Sequence, residues 1–307
     1  MTVESAEQAS HETPSTTQTL SATPTLSKTR ASGLPAGTEQ ALDAIAALMR
    51  GKEVAVLTGA GVSTDSGIPD YRGEGAPRRA PMTFQTFVGD ERARKRYWAG
   101  SHLGWKVFRA AEPNLGHRSL ATLEDAGLIN GIVTQNVDGL HTRAGSKRVV
   151  ELHGSMDRVV CLVCGQAYGR DSISQRLEAL NPIFAAPDSI SVNPDGDVDV
   201  AEIDDFTIPD CTVCGGMLKP NVVFFGEFVP TERFAQALAL VSAADVFLVA
   251  GSSLAVNSGI RLVETARRAG SPIIVINRGL TKGDGRALVK LDAGTSESLA
   301  ELAARLG

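Results

Sequence analysis

One stretch constrains the fold of this chain more than any other: Leu57-Thr-Gly-Ala-Gly-Val-Ser-Thr-Asp-Ser-Gly-Ile-Pro-Asp-Tyr-Arg72, a glycine-rich turn set directly behind an apolar run. Val54, Ala55, Val56 and Leu57 read as a short buried strand, and Gly59 and Gly61 let the backbone turn where a β-carbon would clash. Such a turn presents bare N–H groups, and a strand ending in one is the usual way an α/β fold meets the pyrophosphate of a dinucleotide. The spacing departs from the ordinary fingerprint. Gly59-x-Gly61 is followed by Asp65 and Ser66 before Gly67, and no acidic residue ends a second strand about 20 positions on. The turn is therefore either a chance match or one that holds its nucleotide differently.

The rest of the chain can support such a fold. Its 307 residues, 43% of them hydrophobic, suffice for one large or two modest domains. A net charge of −5 and a pI near 5.6 supply no overall basic field, so neither nucleic acid nor an anionic membrane is an expected partner. No run of about 18 apolar residues occurs and the N-terminus lacks a signal-peptide layout, so the expected location is cytoplasmic.

Residues 1–37 are rich in Ser, Thr, Ala and Pro without apolar periodicity, and read as a disordered tail. From Thr38 an amphipathic pattern (Ala41, Ile45, Ala46, Leu48) predicts a helix stopped by Gly51. Residues 83–127 carry helical patterns, with the basic run Arg92, Arg94, Lys95, Arg96 read as a solvated face. A second strand signal lies in Gly131–His141, an apolar run that ends in polar residues, a third in Val149–Gly154, and later apolar runs are Val222–Phe225, Val246–Ser253 and Ile273–Asn277, with helices near Pro230–Ala244 and Asn257–Ala269. Strands alternating with helices predict a parallel sheet covered on both faces, whose ligands gather at the carboxyl ends of the strands.

Cys161, Cys164, Cys211 and Cys214 form two Cys-x-x-Cys pairs with none left over, and Gly165 and Gly215-Gly216 give the tight backbone of zinc knuckles. Four thiolates and no neighbouring catalytic group predict a closed structural zinc site. The insert between the pairs carries Asp195, Asp197, Asp199, Glu202, Asp204 and Asp205. It fails as a calcium loop, because Val200 and Phe206 stand where Gly and Glu are needed, and reads as a solvated acidic loop. A second constellation, Gln135, Asn136, Asp138, His141 and His153, places amides, a carboxylate and imidazoles at strand ends, suited to a ribose, a carboxamide and a hydroxyl proton. Gly251-Ser252-Ser253 makes another small-residue turn after a strand.

Taken together, Gly59 to Arg72, Thr134-Gln-Asn-Val-Asp138, Glu151-Leu-His-Gly154, the two Cys pairs, Lys219 to Glu227, Gly251-Ser-Ser253 and Asn277-Arg278 resemble the sirtuins, over roughly Thr38 to the C-terminus. Arg96-Tyr-Trp98, Met156-Asp-Arg-Val159 and Pro194-Asp-Gly-Asp197 are similar to the class II branch, the mitochondrial sirtuin-4 type and its bacterial relatives. The resemblance implies a Rossmann-like NAD-binding domain (38–73, 128–157 and 219–307), a cofactor loop and helical module (74–127) and a small zinc domain (158–218). It further implies an NAD-dependent deacylase that moves the acyl group of a lysine to ADP-ribose and releases nicotinamide. His153 matches the general base, and Asn136 and Asp138 match groups around the nicotinamide ribose and carboxamide, with Gln135 and Val137 beside them. Gly59, Ala60, Gly61, Asp70, Tyr71 and Arg72 match the turn and closing loop over NAD; Gly251, Ser252, Ser253, Asn277, Arg278, Gly279 and Thr295 match its phosphate and adenosine side. Val222, Val223 and Phe224 match the acyl-lysine tunnel.

One departure bears on substrate. Family members that prefer succinyl or malonyl groups carry Tyr-x-x-Arg, whereas here Tyr97 is followed by Gly100, so weak activity on succinyl-lysine is expected. Protein mono-ADP-ribosyltransfer is the alternative activity, and a non-catalytic NAD and zinc module the third reading.

Overall fold

The computed structural model describes residues 37–71, 81–184, 193–200 and 203–307. The expected disordered tail before Gly37, Arg72 of the closing loop, and Glu202 of the insert lie outside the described residues. Along the chain the elements run α1 (Thr38–Met49), β1 (Val54–Thr58), α2 (Phe84–Gly89), α3 (Glu91–Ala110), α4 (Leu115–Asp125), β2 (Gly131–Thr134), α5 (Leu140–Arg143), β3 (Val149–Glu151), β4 (Gly154–Cys161), β5 (Ala167–Gly169), α6 (Arg170–Leu180), β6 (Leu218–Val222), α7 (Thr231–Ser242), β7 (Val246–Ala250), α8 (Asn257–Ala269), β8 (Ile273–Ile276), β9 (Val289–Leu291) and α9 (Thr295–Leu306).

Continuous apolar runs form the main sheet because both of its faces are covered. Its six strands are ordered β3-β2-β1-β7-β8-β9, and every pairing is parallel. Residues alternate across it with the two-residue period of a strand. Val54, Val56, Ile132, Leu248 and Ile274 face Leu42, Ile45, Met49, Leu120, Leu299 and Leu302 from α1, α4 and α9. Ala55, Leu57, Val133, Phe247 and Val275 face Phe234, Ala237, Val241, Leu262 and Val263 from α7 and α8. The chain leaves β1 toward β2 on one side and returns through β7 on the other. The crevice above β1 and β7 is thus the topological switch point, where an open parallel sheet takes its ligand.

A second sheet, β5-β4-β6, is antiparallel and carries the cysteines. It shares one core with α3 and α6, in which Tyr97, Trp98, Trp105, Met156, Ile173, Leu177 and Leu218 are buried. Two expectations are corrected here. Of the apolar run Val222–Phe225 only Val222 is strand: it ends β6, which belongs to this second sheet and which the interior Pro220 concealed. The insert is not simply a solvated acidic loop, because Val198, Ile203 and Phe206 are buried between its acids, as are Asn193 and Asp197. Its surface remains charged, with Arg92 of α3 paired to Asp204. No helix among the described residues is long and apolar enough to cross a membrane.

Candidate active site

The glycines of the two turns are explained by contact with each other. A β-carbon on Gly59 would lie 2.8 Å from Ser252 Cβ, and one on Gly61 would lie 3.0 Å from Gly251 Cα. Gly251, at φ +62°, would meet Val62 N at 2.5 Å. The turn after β1 and the turn after β7 therefore close on one another as bare backbone, held by Gly61 N–H donating to Gly251 O at 2.9 Å. Just beyond, Leu254 takes φ 54°, an unfavourable left-handed conformation for a branched side chain. Together the turns floor a cavity of about 1660 Å³. Apart from His141, the described residues assigned from the sequence to NAD, catalysis or acyl-lysine all line it, from Gly59 and Tyr71 through Asn277 to Thr295.

The strand ends supply its polar wall. Asn136 Nδ2 donates to Gly59 O at 3.1 Å and to Ser63 Oγ at 3.0 Å. Ser63 donates in turn to Asp138 Oδ2 at 2.7 Å, while Leu140 N–H donates to Asp138 Oδ1 at 2.9 Å. Burial raises the Asp138 carboxyl, and these two hydrogen bonds oppose the rise. Ser63 thus links the first turn to the Gln135–Asp138 segment; it lies inside the glycine motif, but its spacing gives no sign of that role. Ser252 Oγ donates to Gln135 Oε1 at 2.6 Å, joining the second turn to the same segment. On the far side Thr295, the first residue of α9, donates to Gly61 O at 3.1 Å, and Asn277 Nδ2 donates to Arg278 O at 2.6 Å.

His153 closes the wall, and its tautomer follows from its neighbours. Nδ1 lies 3.0 Å from Gln135 O. A carbonyl can only accept, so Nδ1 carries the proton and Nε2 keeps its lone pair. Nε2 lies 2.8 Å from Ser258 Oγ, a contact that the sequence did not suggest. Burial pushes His153 down to about 4, the Gln135 hydrogen bond opposing it, and the imidazole is neutral at pH 7. His141 is not in the cavity: it is buried beneath it, with Nε2 2.8 Å from Thr58 Oγ1 and its ring 4.8 Å from that of His117.

Val222, Val223 and Phe224 form the opposite lip. Val223 N–H donates to the carbonyl of His153 at 2.8 Å, so lip and imidazole are parts of one backbone arrangement. Buried Lys219 donates to Val222 O at 2.5 Å and to Glu227 Oε2 at 3.0 Å, which also accepts from Phe224 N–H at 2.9 Å. Phe224 packs tilted against Phe87 and edge-to-face with Tyr97, ring centroids 5.1 and 5.0 Å apart. The insert reaches the same cavity, with Asp195 accepting a short hydrogen bond from the Tyr71 hydroxyl.

The four cysteines converge outside this cavity. Their Sγ atoms lie within 4.8 Å of one another, with 3.6 Å between Cys161 and Cys214 and 3.7 Å between Cys164 and Cys211. Tetrahedral zinc with four thiolates sets its sulfurs about 3.8 Å apart, so the donor set fits that ion. Gly165 N–H donates to Cys161 O and Gly215 N–H to Cys211 O, the same turn at each knuckle. Tyr168 Oη, 3.1 Å from Cys211 Sγ, holds that thiol down to about 6. None of the four lines the cavity, which fits a structural ion.

A doubly wound sheet with a glycine-floored cleft at its switch point, joined to a four-cysteine module, defines an α/β dinucleotide-binding protein with a structural metal domain. Residues 59–258 match the model of the Sir2 family, and the chain belongs to that family, the sirtuins. It is 52% identical over 266 residues to NAD-dependent protein deacetylase 1 of Mycobacterium avium, covering 85% of this chain and 94% of the relative. To NAD-dependent protein deacetylase 1 of Streptomyces coelicolor it is 51% identical, over 92% of this chain and 96% of the relative. Among solved structures, one described as Sir2-p53 peptide-NAD+ is 32% identical with a TM-score of 0.70, over 86% of this chain and 96% of that one. Another, described as Sir2 bound to acetylated peptide, is 30% identical with a TM-score of 0.69, over 85% and 96%.

Proposed function

We propose that this chain is an NAD-dependent protein-lysine deacylase, acting in the cytoplasm on acyl-lysine peptides and proteins and belonging to the class II branch. The observation that carries the reading is His153: a neutral imidazole with an unprotonated Nε2, in a cleft shared by both glycine turns and the Val222–Phe224 lip.

NAD, when bound, supplies an anomeric carbon that becomes electrophilic as nicotinamide departs. The bare turns at Gly59–Gly61 and Gly251–Ser253 would face its phosphates, with Asn277, Arg278, Gly279 and Thr295 on the adenosine side. Asn136 and Asp138, tied to each other through Ser63, would orient the nicotinamide ribose and carboxamide. The lip would hold an extended peptide by strand addition and bring the weakly nucleophilic acyl oxygen close to the reacting carbon. His153 Nε2 would take a ribose hydroxyl proton, leaving the oxygen free to attack the acyl carbon. Tyr71 and Asp70 at the mouth would exclude water from that centre.

The test is a panel of acyl-lysine peptides, from acetyl to long-chain, lipoyl and dicarboxyl groups, incubated with NAD and followed by mass detection. Expected products are free lysine peptide, nicotinamide and O-acyl-ADP-ribose, with His153→Ala losing at least about a hundredfold in turnover. Label that ends on protein as ADP-ribose instead would favour the transferase reading, and full activity of His153→Ala would overturn the assignment of His153 as the base.

A further inference from the structure

We propose that Ser258 is a positioning residue for the base, the second anchor of the His153 imidazole and its partner both before and after proton transfer. The proposal rests on the deacylase reading and adds to it a residue with no part in that reading.

Three observations converge on it. His153 is held at both ends of its ring, by Gln135 O on Nδ1 at 3.0 Å and by Ser258 Oγ on Nε2 at 2.8 Å. One anchor lets a ring swing about a single hydrogen bond; two on opposite nitrogens fix its plane. Ser258 is 8% exposed and lines the same cavity as the imidazole, so its hydroxyl sits in a confined place beside the base. Its hydroxyl is also not spent on the helix. Ser258 is the second residue of α8, whose N-cap, Val256, makes no side-chain cap, and His153 is the side chain that its hydroxyl meets.

The chemistry needs what a hydroxyl offers. In the resting protein Nε2 has a lone pair and no proton, so Ser258 must be the donor. For a ribose hydroxyl to reach the single lone pair of Nε2, Ser258 first turns its own hydrogen away; the ribose O–H bond then breaks with the electron pair left on oxygen, and an N–H bond forms at Nε2. The imidazolium then needs an acceptor, and the same serine oxygen, its hydrogen already turned away, supplies it. No oxidant, metal or further reactant enters. Buried His153 titrates low with cationic Arg233 of α7 acting against its protonation, so a neutral acceptor on Nε2 bears directly on the charged state.

The test separates positioning from mere folding by using a step that needs no base. Exchange of labelled nicotinamide into NAD in the presence of acyl-peptide breaks the bond to nicotinamide as the acyl oxygen bonds the anomeric carbon, then reverses both, and takes no proton from a ribose hydroxyl. Ser258→Ala is expected to lower the deacylation kcat roughly 10- to 100-fold, with little change in KM for NAD or peptide and with exchange near the wild-type rate. Ser258→Thr, which keeps the hydroxyl, restores kcat. Unchanged or faster deacylation in Ser258→Ala overturns the proposal, as does a parallel loss of exchange and deacylation. Failure of the underlying reading looks different: the wild-type protein itself then forms no deacylated peptide.

Discussion

Gly100 decides more than the missing arginine suggests. A β-carbon there would lie 2.1 Å from Val198 O, and one on Gly104, a turn further along α3, would lie 2.2 Å from Gly196 O. The insert backbone lies in the notch that these two glycines leave, carrying Asp195 to Tyr71. Restoring the family's arginine therefore cannot simply restore a dicarboxyl preference. Gly100→Arg is expected to displace the insert and destabilise the fold by about 3 kcal/mol, the upper range for overpacking, without making succinyl-lysine the preferred substrate. Denaturant unfolding and the acyl panel check both parts; a stable variant that prefers succinyl-lysine would refute the argument. The absence of Arg was legible in the sequence from the Tyr97 spacing. Its cause was not, because Val198, Ile203 and Phe206 stand singly among acids and no local pattern shows that they reach a common core.

The zinc knuckles and the strands beside them form the element on which the second core depends. β4 ends at Cys161 and pairs with β6, which starts seven residues after Cys211, so the ion would tie the ends of two strands together. Cys161→Ser is expected to abolish stoichiometric zinc and with it binding free energy on the order of 10 kcal/mol. Loss should be local first: β5 and α6, which face the knuckles, lose hydrogen-exchange protection, while β1 and β7, buried on both faces, keep theirs. Metal analysis with hydrogen exchange tests this, and equal protection of β5 in the variant would count against it. The metal cluster was the most legible feature of the chain, since two Cys-x-x-Cys pairs leave few other uses for four thiols. The sheet around it was not: β5 is three residues long, β6 contains Pro220, and neither shows the alternation that marks a strand.

Across the whole molecule, the switch-point cleft sits on a floor of buried imidazoles. His117 is fully buried, its Nε2 3.4 Å from Ser63 Oγ, and His141 is buried beside it. Burial pushes His117 down to about 4, and His141 well below its ordinary value, with the neighbouring His117 ring adding to the drop. His102, in the second core, is also lowered by burial, with Arg170 nearby acting in the same direction. An unfolded histidine binds its proton near pH 6.5. Between that pH and about 4 the unfolded chain therefore binds protons that the native one refuses, and native stability falls as pH falls. The stability that neutral, buried His117 and His141 lend is complete above pH 6.5, and each loses about 1.4 kcal/mol of it for each pH unit below, His117 down to about 4. With zinc kept saturating, the midpoint of urea unfolding should drop clearly from pH 7 to pH 5. His141→Asn should flatten that slope by about one histidine's share, although its lost packing lowers the midpoint at every pH. A midpoint that does not move over this range would mean that the histidines beneath the cleft are solvated, and that the floor of the site is more open than their burial requires.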